Sequence, residues 1–173
     1  MSQEEVLYEE LEQWIIEELK KHKICVLATS ENNRVYARGL KLCTDGLTLY
    51  CSSQADSKKF KQIQVNPNVA VAAGNLQIEG IASLTGHPLG EANVRYIEVL
   101  KEHYPEDYQA LSAVQFKRPE YTVIKINPVK ITMYKGGNKE TGTESSLNIL
   151  NVAKKEAYKV YRSDMSKSPA YNE

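Results

Sequence analysis

The feature that most limits the fold is a series of short apolar runs, each closed by a turn signal. Ile24 to Thr29, Arg34 to Leu42, Leu47 to Cys51, Val69 to Ala73, Gln77 to Gly86 and the stretch 121–134 follow one another along the chain. Glu31-Asn32-Asn33, Asp45-Gly46, Asn66-Pro67-Asn68, Gly74-Asn75 and His87-Pro88 punctuate them. Runs of this length bounded by Gly, Pro, Asn and Asp read as strands. About six such strands, with few segments left to form exposed edges, favour a small closed antiparallel barrel over an open sheet. The stretch 121–134 reads as two strands, or as one bent at Asn127-Pro128.

Helices fill the margins of this pattern. Residues 2–22 carry Leu7, Leu11, Trp14, Ile15 and Leu19 at helical spacing, with Ser2 and Glu5 placed to form a capping box. Residues 90–103 repeat the pattern with Ala92, Tyr96, Val99, Leu100 and His103, and a short helix fits around Tyr108 to Val114. Gly136-Gly137 closes the compact part, so the expected organisation is a barrel domain with its N-terminal helix over 1–137 and a C-terminal extension over 138–173. Leu147, Leu150, Ala157 and Tyr161 point to a last helix started by Ser145 or Ser146, and Ser163 to Glu173 reads as a frayed end.

Charge and cysteine content exclude several classes. The 22 Lys and Arg residues balance 22 Asp and Glu residues, so no broad basic field is available for nucleic acid. No apolar run approaches the roughly 20 residues needed to span a bilayer. Cys25, Cys43 and Cys51 are odd in number, lack C-x-x-C spacing and have no histidine cluster nearby. That argues against a disulfide framework and a metal site, and makes a reducing cytoplasm the expected setting.

One loop carries a different signal. Ser52 to Asp56 leads from a strand end into Ser57-Lys58-Lys59-Phe60, which reads as the start of a short helix stopped by Asn66-Pro67-Asn68. The first N–H groups of a helix lack internal partners and carry the positive end of its dipole. Lys58 and Lys59 therefore oppose the dipole unless an anion lies beside them, and a phosphate would remove the conflict. The alternative is a solvated helix whose lysines touch nothing. In the second strand Arg34, Tyr36, Arg38, Leu40 and Leu42 share one face, while Gly39 in mid-strand suggests close approach of another group to the backbone. An arginine on a core-facing register needs a carboxylate or a ligand anion.

The order of these pieces resembles the pyridoxamine 5′-phosphate oxidase-like, FMN-binding split-barrel family over roughly residues 10–135. Arg38-Gly39-Leu40-Lys41-Leu42 resembles the arginine strand that meets the flavin and its phosphate. Cys51-Ser52 followed by Ser57-Lys58-Lys59 is similar to the strand end and phosphate loop, and Asn66-Pro67-Asn68-Val69 to the entry of the next strand. Gln77-Ile78-Glu79-Gly80 is similar to the strand whose leading glutamine reaches the cofactor. The resemblance implies a mainly β fold, a six-stranded antiparallel split barrel with flanking helices. It implies FMN held by Arg38, Gly39, Leu40, Lys41, Cys51, Ser52, Ser57, Lys58, Lys59 and Gln77, in a homodimer with the flavin at the interface. Members that oxidise pyridoxamine phosphate carry a terminal Arg-x-His segment, whereas residues 140–173 offer Lys154-Lys155, Arg162 and no histidine. The resemblance is nearer to short bacterial flavin-nucleotide-binding members, including nitroimidazole-resistance-type reductases. A flavin-dependent oxidoreductase acting on a small molecule is the implied function. A flavin sensor, a haem-binding relative and a deazaflavin-using reductase are the alternatives. No side chain stands out as a general acid or base; Tyr36, Tyr50 and His87 are candidates no better than others.

Overall fold

A computed structural model describes residues 4–161. In chain order the elements are β1 (Glu4–Glu5), α1 (Tyr8–Leu19), β2 (Ile24–Glu31), β3 (Arg34–Lys41), β4 (Cys43–Asp45), β5 (Thr48–Gln54) and α2 (Lys58–Val65). Then follow β6 (Asn68–Ala73), β7 (Leu76–Leu84), α3 (Val94–His103), α4 (Pro105–Ala113), β8 (Tyr121–Lys135), β9 (Ser146–Asn151) and β10 (Glu156–Tyr161). All pairings are antiparallel, in the order β1-β10-β9-β8-β7-β6-β2-β3, with β5 adding to β8 and β4 to β5.

Strand β8 organises this sheet. Its first half pairs with β5 on one side and the end of β7 on the other, and its second half pairs with β9 and the start of β7. It is a single strand, and the register with β7 shifts between Glu79 and Gly80, opposite Pro128 and Lys130. The proline interrupts the ladder and a bulge absorbs it, so the bend does not become a break. Gly80 is the residue that allows this, because a Cβ there would lie 2.8 Å from Ile126 Cγ2 and 3.0 Å from the Asn127 carbonyl oxygen. Beyond β3 the sheet does not close: β3 approaches β5 without a ladder, which makes the barrel split.

The six strands read from the sequence are all present, with four more among the described residues. The expected last helix is instead the β9–β10 hairpin, which extends the same sheet past β8. Leu147 and Leu150 fit a helical spacing, but the buried set is Ser146, Asn148 and Leu150, a period of two. The polar residues in that set hid the alternation. Similarly, Glu5 lies in β1 against β10, Ser2 lies outside the described residues, and the first helix begins only at Tyr8. The expected frayed end at 163–173 also lies outside them.

Two cores result. The main one joins α1 (Leu11, Ile15, Leu19) and α2 (Phe60, Ile63) to the inner sheet residues Leu27, Leu49, Val71, Ile78, Ile126 and Ile131. A second joins α3 and α4 through Tyr96, Val99, Leu100, Tyr104 and Leu111 to Cys43, Tyr50 and Val123. Strand β5 serves both, because alternate residues point to opposite faces: Leu49 and Cys51 enter the first core, and Tyr50 enters the second. The helix α4 covers Tyr108 as expected, but starts earlier, with Pro105 in its first turn where a missing N–H costs nothing. No helix among the described residues is long and apolar enough to cross a membrane.

Candidate functional site

Strand β3 is an edge strand with a half-buried inner face of Tyr36, Arg38 and Leu40, so the face read from alternation is the face observed. Arg38 sits opposite Leu27, and its Nη1 donates to the Leu27 carbonyl oxygen at 3.1 Å and to Thr29 Oγ1 at 2.7 Å. Its Nη2 donates to Gln62 Oε1 at 3.3 Å, and Thr29 Oγ1 donates to the same oxygen at 2.6 Å. These bonds form a closed ring that fixes the guanidinium in one plane. A guanidinium has five N–H donors, so Nε–H and one Nη2–H are left for a further acceptor. No carboxylate pairs with Arg38 among the described residues.

The helix α2 brings a second cation to this point. Ser57 is its N-cap by backbone conformation, yet the hydroxyl does not cap the helix. It accepts instead from Lys59 Nζ at 2.9 Å, leaving the first-turn N–H groups without a side-chain cap. Burial first, and then the nearby Arg38, hold the Lys59 ammonium below the usual lysine range, with Asp56 and Cys51 only partly offsetting this. Two half-buried cations thus sit together without an acid between them. Lys58 is exposed, and its Nζ lies 3.8 Å from the centroid of the ring of Tyr36, on the strand that carries Arg38. Behind α2, Asn66 turns the chain: its Nδ2 donates to Ser30 Oγ and its Oδ1 accepts from the Asn68 backbone N–H.

The other residues expected at this site go elsewhere. Leu40 lines the inner face opposite Cys25, and Cys51 is buried with its Sγ 3.8 Å from Cys25 Sγ. Ser52 faces the second core and accepts from the Tyr96 hydroxyl at 3.2 Å. Lys41 is ion-paired to Asp107 of α4, and with Ser52 it lines a crevice of about 10 Å³. That is room for no more than about one water. Gly39 and Gln77 lie on the outer face of the sheet, which also bears Val26, Ala72 and Glu79. A Cβ at Gly39 would meet nothing within 4 Å, so the close approach expected there is not made by any described residue of this chain. Of the three other candidates, Tyr36 lies under the Lys58 ammonium and Tyr50 is buried in the second core. His87 accepts a turn hydrogen bond from the Leu89 N–H.

Sequence reading missed Thr29 and Gln62. Both are buried polar residues that close the ring around Arg38, and Gln62 is 0 % exposed. A signal existed: Gln62 lies three residues after Lys59, on the same helix face and next to apolar Ile63, where a glutamine needs a buried partner.

The fold and this meeting of side chains define an antiparallel split barrel with paired, unneutralised cations at the start of α2. The sequence profile of the pyridoxamine 5′-phosphate oxidase family matches residues 11–135, and the chain belongs to that family. General stress protein 26 of Bacillus subtilis is 24% identical over 131 residues, covering 76% of this chain and 93% of that one. A solved structure from Listeria innocua, provisionally assigned to the pyridoxamine 5′-phosphate oxidases, is 30% identical with a TM-score of 0.57. It covers 71% of this chain and 97% of its own. A pyridoxamine 5′-phosphate oxidase-related, FMN-binding protein of Nostoc punctiforme has a TM-score of 0.56 at 15% identity, covering 87% and 92%. At that identity the likeness is one of fold.

Proposed function

We propose that the chain is an FMN-binding flavoprotein and works as a flavin-dependent oxidoreductase on a small molecule, as a homodimer. The observation that carries this reading is the meeting of Arg38 and Lys59 with no carboxylate partner for either among the described residues. Like charges held together in a half-buried setting cost stability, and a phosphate dianion between them converts the cost into attraction. Arg38, Ser57, Lys59 and the uncapped first turn of α2 would hold that phosphate, with Lys58 adding charge at the rim. The flavin, when bound, supplies the electron-transfer chemistry; the protein supplies orientation and access. The expected result is that purified protein binds FMN much more tightly than riboflavin, read by quenching of flavin fluorescence. Equal affinity for the two flavins, or a haem absorption band in the purified protein, would overturn the reading.

The homodimer is supported by the outer face of the sheet. Ile24, Val26, Val35 and Ile81 are 66%, 43%, 71% and 41% exposed there, among Ala28, Ala37, Ala70 and Ala72. A contiguous apolar sheet face of this kind is uncommon on a monomer. It also holds Gly39, open to approach, and Gln77, which points away from its own Arg38. A second copy seated on this face could bring Gln77 to the other protomer's flavin. Light scattering at micromolar concentration is expected to give twice the chain mass, and Val35→Glu is expected to give the single mass. A monomeric mass for the parent with FMN bound would rule the arrangement out.

A further inference from the structure

Gln62 is an odd residue to find at the centre of α2. It is 0 % exposed, and only one half of its amide is satisfied. The oxygen accepts from both Thr29 Oγ1 and Arg38 Nη2, while Nε2 is buried without a hydrogen-bond partner among the described residues. Turning the amide over would not help, because the NH2 group would then face the guanidinium donors and Arg38 would lose an acceptor. The amide is therefore held with its oxygen toward Arg38, at the cost of an orphaned donor. A leucine or methionine would fill similar volume without that orphan and would suit a helix packed on the main core, but would strip the Thr29 hydroxyl and Arg38 Nη2 of their acceptor. The feature that Gln62 contributes and an apolar residue does not is an acceptor for Arg38.

A neutral acceptor differs from a charged one in a way that matters here. A carboxylate at this position would also orient the guanidinium, but it would neutralise the charge. The amide oxygen aims the cation and leaves its charge intact. The same helix carries Lys59 three residues earlier, so α2 presents one cation and the acceptor that aims the other. Thr29, from the neighbouring strand β2, braces both.

We infer that Gln62 is a positioning residue for phosphate recognition: it orients Arg38 toward the ligand phosphate without neutralising the guanidinium. This rests on the proposed FMN reading. The test compares full-length parent, Gln62→Glu and Gln62→Met for binding of FMN and of riboflavin by fluorescence quenching, with thermal melts of the cofactor-free proteins. Gln62→Glu is expected to weaken FMN by roughly tenfold or more and to leave riboflavin within about twofold, since only the phosphate feels the lost charge. Gln62→Met is expected to weaken FMN by a smaller factor, again sparing riboflavin. If Gln62→Glu does not fold, the methionine variant decides. FMN binding at parent strength in whichever variant folds, or an equal loss for both flavins, makes Gln62 a packing residue and overturns the inference. If the parent itself does not distinguish FMN from riboflavin, the proposed function fails first, and that outcome is separate from the behaviour of the variants.

Discussion

Removing either Arg38 or Lys59 is expected to weaken FMN by about 10- to 100-fold, from charge-assisted hydrogen bonds worth roughly 1.5–3 kcal/mol each. Arg38→Ala should fall at the larger end. The guanidinium is more firmly placed, with three donors already committed to Leu27, Thr29 and Gln62, and its planar fork is not replaced by a neighbour. The double variant should lose less than the sum of the two, because each cation neutralises part of the same dianion and the pair repel one another in its absence. Riboflavin binding should barely change in any of them. Stability without cofactor should move the other way for the lysine. Burial and Arg38 depress the Lys59 ammonium, so the folded state is penalised at every pH where that lysine is charged in both folded and unfolded chains. That penalty fades only as the pH climbs through the depressed value toward the free lysine value. At neutral pH, Lys59→Met is therefore expected to melt no lower than the parent when FMN is absent and clearly lower when it is present. A double-mutant cycle with riboflavin as control checks the first part, and paired melts check the second. Unchanged FMN affinity in the lysine variant would make Lys59 a solvated charge.

These expectations rest on features that were legible to different degrees in the sequence. Alternation in Arg34 to Lys41 placed Arg38 on the inner face, and Asn66-Pro67 placed the end of α2, because a two-residue period and a proline act locally. The partners of Arg38 were not legible in this way. Thr29 and Gln62 come from separate elements, and the one local sign, Gln62 beside apolar Ile63, does not say which distant residue the glutamine meets. The splitting of the expected site had a similar cause. Lys41 and Ser52 are near Arg38 and Lys59 along the chain, yet the pleat turns them away, and α3 and α4 meet them with Asp107 and Tyr96. The β9–β10 hairpin was hidden because its inward positions are filled by Ser146 and Asn148, where apolar residues would have announced a strand. Asn148 is tolerated there because its Nδ2 finds the Met133 carbonyl oxygen at 3.4 Å, whereas Ser146 Oγ is buried without a partner among the described residues.

Phe60→Ala is expected to cost about 3–5 kcal/mol, the usual range for deleting a buried aromatic ring. Phe60 is 2% exposed, lies among the largest fully enclosed side chains, and with Ile63 is the apolar anchor of α2 in the main core. A helix of eight residues does not hold its shape alone, so its place on the barrel depends on those two contacts. For a chain of this size the loss corresponds to a melting temperature roughly 6–20 °C lower. Set against a typical total of about 5–15 kcal/mol, it is a large share of the stability. The effect should reach the site as well, because Phe60 lies beside Lys59 in sequence and Gln62 follows within the next turn. The variant should therefore bind FMN more weakly, and a fixed excess of FMN should raise its melting temperature less than it raises the parent's. Saturation at about 100 times the dissociation constant adds roughly 2.7 kcal/mol, and a weakened site reaches less of this at the same flavin concentration. Val65→Ala is the control: it removes a side chain from the same helix that is 71% exposed, and neither melting nor flavin affinity should change. Melts with and without FMN on the three proteins check both parts. If Phe60→Ala lost stability but kept the parent's FMN-induced shift, α2 would be held in place by something other than its buried ring.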